Sequence, residues 1–135
     1  DLYLQIMKTT KQFAREDLKI AYFTGELKAM AKEFDCVIVL LSQLNRELEK
    51  RPNKRPMLSD LRESGAIEQD ADQIVFLYRD EIYNKESQYR GIAEAIVGKN
   101  RHGEPGTAYM YAQLKYCQFT NLDHEALNQI QGATI

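Results

Sequence analysis

The sequence has no long apolar run and few cysteines. None of its apolar stretches approaches the roughly 20 residues that a membrane-spanning helix needs, and no basic-then-apolar signal pattern opens the chain. Its two cysteines are Cys36, which begins an apolar run, and Cys117, in a late strand-like segment; they form no CxxC pair and have no histidine pair nearby. They predict buried thiols rather than a metal site or a disulfide framework. These absences predict a soluble protein of the cytoplasm that does not bind membranes.

Size and composition predict one ordinary domain or a piece of one. The chain has 135 residues, of which 44% are hydrophobic and 28% are charged, so it can bury a single core. It contains no internal repeat and no low-complexity segment. His102 and His124 stand alone in polar sequence, which favours surface positions over catalytic ones.

The net charge of −2 conceals two basic stretches. Residues 46–55 carry five cations and two carboxylates, a net charge of +3, and residues 8–19 carry four cations and two carboxylates, a net charge of +2. Both stretches resemble loops that follow strands. One basic stretch is usually a solvated loop, but two at equivalent ends of parallel strands would form a basic rim suited to a phosphate backbone.

The apolar pattern predicts an α/β sheet with an antiparallel edge. Apolar residues at helical spacing over 18–34 predict an amphipathic helix. CVIVLL at 36–41 is a continuous apolar run rich in β-branched residues, which predicts a central strand buried on both faces, and QIVFLY at 73–78 repeats that character. The sequence from Asp123 is a polar tail with no clear partner. Further strands are predicted at 2–7, 91–99 and 107–114, the last two forming a hairpin around NRHGEPG.

Polar residues that directly follow the 36–41 run are candidates for a ligand site. In an open α/β sheet, ligands collect beyond the carboxyl ends of the parallel strands, and Ser42 and Gln43 fall there. A glutamine can donate its amide to one group while its carbonyl accepts from another, which suits it to sensing a terminal phosphate. The alternative is a strand-end amide that caps its own loop, and spacing alone leaves both open.

The stretch SDLRESGAIEQDAD at 59–72 has six ionisable side chains in fourteen positions. The ordinary interpretation of such a cluster is the solvated face of a helix. Its position directly before the apolar run at 73–78 raises the alternative of a functional loop beside a buried strand.

Taken together, the motifs of this chain resemble those of the ATPase domain of the DnaB-family replicative helicases, cellular or phage-borne. The resemblance covers residues 1–122 and is carried by YLQIM, LKAMAKEF, VIVLLSQLNRELEKR, KRPMLSDLRESGAIEQDADQIVFLYRDEIY and GIAEAIVGKNRHGEPGT. It implies a RecA-like αβα sandwich with a mainly parallel sheet and an antiparallel edge hairpin, followed by the polar tail at 123–135. It also implies a homo-hexameric ring that couples ATP hydrolysis, with Mg²⁺, to translocation on single-stranded DNA and duplex unwinding. A helicase loader and a primase are the further partners that it implies.

The resemblance assigns nucleotide roles to three residues. Gln43 matches the family's glutamine that couples the γ-phosphate to the DNA loops. Lys99 and Arg101 match the basic pair on a β-hairpin that enters the neighbouring subunit's nucleotide site, where a guanidinium neutralises charge that develops in phosphoryl transfer. Without the resemblance, KNR in a hairpin would be an ordinary basic turn.

The resemblance also assigns DNA contacts. Arg62, Glu63 and Gly65 match the LRESG segment that lines the central channel, and Lys8 and Lys11 are added as candidates from the other basic stretch. A glycine lets the main chain approach a phosphate closely, so that its N–H can donate to the phosphate. The carboxylates that follow are predicted to hold the base of the loop: Glu68, Asp70 and Asp72.

Two features depart from the family pattern. The family's second strand ends in an aspartate directly before Tyr-Leu-Gln, and that carboxylate holds the Mg²⁺ shell. Asp1 is the candidate, but it is displaced by one residue because Leu2 precedes Tyr3, a shift that reverses the face of a strand. The sequence also has no GxxxxGK[ST] motif. We therefore expect a motor domain that is truncated on its N-terminal side and inactive alone.

Two alternatives remain at this point. One is a recombinase-type or other RecA-like ATPase, which the continuous LRESGAIEQDAD segment disfavours. The other is a non-catalytic remnant from a phage or mobile element that binds DNA or a helicase ring. An in-frame GxxxxGK[ST] upstream would indicate the helicase, whereas a native start codon near Asp1 would indicate the remnant.

Overall fold

The computed structural model describes residues 12–61 and 64–132, and the chain divides into two units, Asp1–Ile74 and Val75–Ile135. The strand predicted at 2–7 lies outside the described residues. Five of the candidate site residues lie outside them as well: Asp1, Lys8, Lys11, Arg62 and Glu63.

The first unit contains a long helix, α1 (Glu16–Glu33), where helical spacing predicts one. Ile20 is only 2% exposed and Thr24 is buried one turn later, so this side of α1 faces the interior of the unit. Leu18, Met30 and Phe34, near the two ends of the helix, are exposed. The predicted helix is confirmed. Within the described part of the chain, only some of the apolar side chains along the helix are buried.

A left-handed residue ends α1. Asp35 has a φ of 47°, and the N–H of Cys36 then donates to the carbonyl of Ala31 at 3.0 Å. This geometry satisfies a carbonyl that the helix would otherwise leave open, and it is the usual way in which a helix stops.

A second helix, α2 (Ser64–Asp70), begins within the LRESG segment and packs against α1. The Thr24 hydroxyl donates to the Asp70 carboxylate, and the Lys28 ammonium forms an ion pair with Asp72. Ile67 of α2 is buried. Asp70 and Asp72 therefore have the structural role that the sequence predicted for them, which is to fix this segment at its base.

The prediction of a central strand at 36–41 is wrong for this structure. The segment has no regular secondary structure, and Val37 and Val39 are 90% and 79% exposed. A central strand needs hydrogen-bonding neighbours along both edges and cover on both faces. Among the described residues, pairing begins only beyond this segment, at the isolated bridge between Leu44 and Leu61.

The second unit is built on a four-stranded sheet in the order β1-β2-β3-β4. Strand β2 pairs antiparallel with β3, from Ile92 opposite Tyr111 to Val97 opposite Gly106, and β3 pairs antiparallel with β4. The strand predicted at 73–78 and the hairpin predicted from 91–99 and 107–114 are confirmed. The late strand-like segment corresponds to β4. The α/β class is confirmed, while the parallel part of the sheet stays a prediction. The strands are β1 (Gln73–Tyr78), β2 (Ile92–Asn100), β3 (Gly106–Gln113) and β4 (Gln118–Asn121).

Strand β1 is covered on one face only. Ile74, Phe76 and Tyr78 are buried, whereas Val75 and Leu77 are 51% and 64% exposed. The strand therefore does not have the two buried faces that its continuous apolar run predicted. Because side chains alternate along a strand, one covered face buries every second residue.

A tied loop connects β1 to β2. The Arg79 guanidinium forms an ion pair with the Glu81 carboxylate, whose other oxygen accepts the N–H of Gly91 at 3.1 Å. Arg79, and then the Gly91 N–H, lower the pKa of Glu81 below its ordinary value of 4.5. Gly91 has a φ of 71°, a conformation that favours glycine, and its carbonyl accepts from the N–H of Ala112 in β3 at 2.7 Å.

The polar tail predicted from Asp123 contains a helix, α3 (His124–Gly132). The Asp123 carboxylate accepts the N–H of Ala126 at 2.8 Å and the hydroxyl of Tyr111 at 3.1 Å, so it caps the helix and ties it to β3. The bond to Asp123 raises the pKa of Tyr111 above its ordinary value. Ile130 of α3 is buried.

Cys36 and Cys117 are both exposed, so the prediction of buried thiols is wrong. Cys36 follows the end of α1, and Cys117 occupies a left-handed turn with a φ of 50°. In the part of the chain that the structure describes, no helix has the length and apolar character needed to cross a membrane.

We expect acid to destabilise the second unit partly through Glu81. Because the folded-state pKa of Glu81 is lowered, its ionised form contributes stability above pH 4.5, and this contribution is lost as the pH falls through the folded-state pKa. Glu81→Gln should lower stability at neutral pH and flatten the decline toward about pH 3. Thermal unfolding across this range, with exposed Glu86→Gln as the control, measures the effect. Equal pH profiles for Glu81→Gln and the wild type would contradict it.

We expect Asp123 to determine whether α3 stays formed. Asp123→Ala should fray the helix at a cost of about 1 kcal/mol, whereas Asp123→Asn should retain the cap, since asparagine caps helices as well as aspartate does. Hydrogen exchange of the α3 amides distinguishes the two variants. Asp123→Asn should also lower the Tyr111 pKa, because the carboxylate that raises it is gone. Unchanged exchange in Asp123→Ala would show that packing of Ile130 holds the helix without the cap.

Candidate functional site

Gln43 lies directly before the point where residues 44–45 meet residues 60–61. Leu44 forms an antiparallel bridge with Leu61, and the N–H of Asn45 donates to the carbonyl of Asp60 at 2.7 Å. Gln43 itself is exposed. The structure thus brings the candidate phosphate sensor to the beginning of the LRESG segment, although the two are some twenty positions apart in sequence.

Asp60 is the most heavily used side chain in this region. It is 5% exposed, and one carboxylate oxygen accepts both the Arg51 guanidinium at 2.6 Å and the N–H of Met57 at 2.9 Å. The same Arg51 nitrogen donates to the carbonyl of Arg55 at 3.1 Å. Sequence reasoning missed this network, since a basic residue and an acidic residue nine positions apart carry no signal that they will meet.

The basic stretch at 46–55 is used largely to fold its own loop. A 3₁₀ turn at Arg46–Lys50 begins where the side chain of Asn45 accepts the N–H of Glu47 at 3.0 Å. The Lys54 ammonium donates to the carbonyls of Glu49 and Arg51 at 2.8 and 3.0 Å. The loop's own carboxylate and carbonyls therefore hold Arg51 and Lys54, while the basic rim stays a prediction.

Gly65 is the described member of the candidate DNA-contacting residues. It lies at the start of α2 and is exposed, and a Cβ added there would meet nothing within 4 Å. Its φ lies outside the left-handed region. Neither packing nor backbone conformation within the described chain therefore requires glycine at this position.

Lys99 and Arg101 lie on the hairpin of the second unit. Lys99 is half-buried near the end of β2, and Arg101 is exposed in the turn. In the turn, a Cβ added at Gly103 would lie 2.7 Å from the side-chain nitrogen Nδ2 of Asn100. The hairpin therefore presents a guanidinium at its tip, as the resemblance implies, while its β2–β3 ladder supplies a defined base.

The described residues do not form a complete nucleotide site. Within 12–61 and 64–132, no group of three or more histidine, cysteine, aspartate or glutamate side chains could hold a metal ion. The candidate Mg²⁺ ligand, Asp1, lies outside this part of the chain. Gln43 and Gly65 lie in the first unit, and Lys99 and Arg101 lie in the second.

Comparison with known proteins identifies relatives along most of the chain. The family model of the DnaB-like helicase C terminal domain matches residues 2–121. Replicative DNA helicase DnaB of Buchnera aphidicola subsp. Acyrthosiphon pisum is 50% identical over 119 residues, which are 88% of this chain and 26% of that protein. The DnaB of Geobacillus stearothermophilus is 43% identical over 122 residues, 90% of this chain and 27% of that protein.

A solved structure agrees with these matches. The structure of a DnaB-like replicative helicase and its interactions with primase is similar to this chain with a TM-score of 0.83 and 48% sequence identity, covering 89% of this chain and 29% of that one. The chain spans about a quarter of the length of the curated relatives it matches. On this agreement of sequence and structure, the chain belongs to the DnaB-like helicase C-terminal domain family.

Proposed function

We propose that these residues form part of the motor of a replicative DNA helicase. The complete motor has a RecA-like αβα sandwich whose sheet is mainly parallel. The motor works in the cytoplasm as a homo-hexameric ring that couples ATP hydrolysis to movement along single-stranded DNA and to unwinding of the duplex. The observation that carries the proposal is the pairing of Leu44 with Leu61, which brings Gln43 to the beginning of the LRESG segment. Membership of the DnaB-like family favours a helicase over the recombinase alternative.

The two proposed functions of the first unit are phosphate sensing and DNA binding. Gln43, exposed beside the loop, senses whether the terminal phosphate of ATP is present. Arg62, Glu63 and Gly65 line the channel along the phosphate backbone. Arg62 supplies charge and Gly65 a main-chain donor, while Glu63 orients a neighbouring basic group. Lys8 and Lys11 add charge to the same surface. Recognition of this kind depends on phosphate, so it is independent of base sequence and weakens with salt.

The proposed function of the hairpin is catalysis across a subunit interface. Arg101, at the exposed tip, reaches the γ-phosphate in the neighbouring subunit's site, and Lys99 adds positive charge behind it. Positive groups that approach from outside stabilise the charge that develops on the transferred phosphoryl group.

ATP and Mg²⁺ are the proposed substrate and cofactor of the complete motor. The metal neutralises phosphate charge, and within residues 12–61 and 64–132 no group of three or more histidine, cysteine, aspartate or glutamate side chains could hold it. A helicase loader and a primase are the proposed partners; a solved relative with primase supports the second.

A glycine-to-alanine pair tests the DNA contact. The experiment uses a chimaera in which this chain replaces the corresponding segment of the Geobacillus stearothermophilus DnaB. Gly65→Ala should weaken single-stranded DNA binding by about tenfold for all base sequences, because the added methyl group would hold the phosphate away from the Gly65 N–H. A hydrogen bond to a charged group contributes roughly 1.5–3 kcal/mol. Fluorescence anisotropy with labelled oligonucleotides measures the affinity.

Gly25→Ala is the matched control. Gly25 also lies in a helix, is exposed, and has nothing within 4 Å of an added Cβ. Both substitutions should preserve or raise the melting temperature, because alanine favours a helix by about 1 kcal/mol over glycine. Full DNA affinity in Gly65→Ala, in rings that assemble normally, would remove this residue from the channel.

Arg101→Ala should lower ATP turnover roughly a thousandfold while nucleotide binding stays nearly unchanged, the effect of losing a finger that acts in trans. His102→Ala, one position further along the same exposed turn, should have little effect on either. Steady-state hydrolysis by the chimaera and binding of a fluorescent nucleotide give the two values.

Mixed rings determine whether Arg101 acts across the interface. Subunits with Arg101→Ala are combined with subunits whose P-loop lysine is mutated, so that some interfaces contain neither defect. Hydrolysis by the mixture should exceed that of either variant alone. If mixed hexamers form and hydrolyse no more ATP than the separate variants, the hairpin does not act in trans.

A further inference from the structure

We propose that Glu81 is a positioning residue for Arg101: its carboxylate fixes the base of the β2–β3 hairpin and thereby the place that the hairpin tip reaches in the neighbouring subunit's site. The proposal rests on the function proposed above and adds to it a residue that acts through Arg101 without touching the nucleotide. Glu81 lies in a 3₁₀ turn, Asp80–Ile82, shortly after β1.

The hairpin is packed at its base and open toward its tip. Residues 92–94 are buried, residues 95–100 are half-buried, and the chain is exposed from 101 to 108. The ladder ends at Val97 opposite Gly106, so Arg101 lies beyond the last pair. Burial therefore holds the hairpin more firmly at its base than at its tip.

Gly91, directly before β2, joins both strands of the hairpin to Glu81. Its N–H donates to one carboxylate oxygen of Glu81 at 3.1 Å, and its carbonyl accepts the N–H of Ala112 in β3 at 2.7 Å. The Glu81 carboxylate thus holds the residue at which the base of the hairpin is closed.

Glu81 is in turn oriented by Arg79. The guanidinium donates to the other carboxylate oxygen, from Nε at 3.1 Å, and the two side chains are only 26% and 21% exposed. Hydrogen bonds between charged groups are stronger than those between neutral ones, and they fix a direction as well as a distance. Arg79 directly follows β1, which neighbours β2 in the sheet. The base of the hairpin is therefore tied to the strand beside it.

A small change at the base produces a large displacement at the tip. A strand rises about 3.3 Å per residue, so one as long as β2 extends over roughly 30 Å. A tilt of about 4° at one end of such a strand moves the other end by about 2 Å. A misplacement of about 1 Å can lower the rate of a reaction a hundredfold. Loss of the Glu81 tie is therefore expected to reduce what Arg101 contributes.

Steady-state hydrolysis by the chimaera and binding of a fluorescent nucleotide test the proposal. Glu81→Ala should lower turnover by about a hundredfold. The KM for ATP and the nucleotide affinity should stay nearly unchanged, because Arg101 acts on charge that develops only in the transition state. Glu86→Ala is the matched control, since it removes an exposed carboxylate from the same loop. It should retain wild-type turnover.

A double-mutant cycle with Arg101→Ala separates positioning from a merely structural role. Residues that act through one another have non-additive effects. In the Arg101→Ala background, Glu81→Ala should therefore lower turnover by less than about twofold. A general structural defect would cause the same loss in both backgrounds, and that result would overturn the proposal.

Glu81→Gln is used if Glu81→Ala rings do not assemble. Its amide oxygen can accept the Gly91 N–H, but it cannot form the ion pair with Arg79. We expect a smaller loss of turnover, about tenfold, because the charged interaction is gone while a neutral hydrogen bond remains. This loss should also disappear in the Arg101→Ala background.

The outcomes separate this proposal from the function beneath it. Wild-type turnover in assembled rings of the Glu81 variant, with Arg101→Ala turnover lowered, overturns the positioning role while the finger stands. If Arg101→Ala itself hydrolyses ATP at the wild-type rate, the proposed finger fails, and the role of Glu81 fails with it.

Discussion

The interaction on which the first unit depends is the one between Asp60 and its donors. This carboxylate is 5% exposed, and it joins the loop that begins after Asn45 to the segment that leads into LRESG. If Arg51 were absent, the buried carboxylate would keep the Met57 N–H but lose its ionic partner, and breaking a buried pair in this way typically costs about 3–5 kcal/mol. The packing of α1 against α2 fixes the other end of the segment through Asp70 and Asp72. Gly65, the described member of the proposed DNA contacts, thus lies in the chain between two fixed points.

The second unit depends on a different kind of interaction. Its β2–β3 hairpin pairs residues that are close in sequence, so the chain gives up little loop-closure entropy to form it. The loop before β2 is held by Arg79 and Glu81, and the terminal helix by Asp123. Each tie joins an element to its neighbour along the chain. A hairpin built from local contacts is a firm support for a side chain that is proposed to act on another subunit.

The same difference in sequence separation explains what the sequence could predict. Helix α1 and the β2–β3 hairpin were correct because periodicity and turn residues describe local pairing. The strand at 36–41 was wrong because an apolar run indicates only that a segment can be buried; whether it forms a strand depends on partners distant in sequence. The Arg51–Asp60 pair was missed for the same reason, since both residues were counted only as members of charged stretches. Gln43 was first a candidate because it follows the 36–41 run. The roles of Gln43, Lys99 and Arg101 came from the family's motifs, which retain information that spacing does not.

The glycines show how structure can separate a conformational role from a proposed functional one. Gly91 has a φ of 71°, a conformation that favours glycine, so its own backbone explains it, whereas a Cβ at Gly103 would meet the flexible side chain of Asn100. Gly65 and Gly25 have neither constraint, although each weakens the helix that contains it. An unconstrained helical glycine is therefore not by itself a sign of function. What distinguishes Gly65 is its position in the chain, four residues after Leu61. Leu61 pairs with Leu44 at the start of the segment that is proposed to contact DNA.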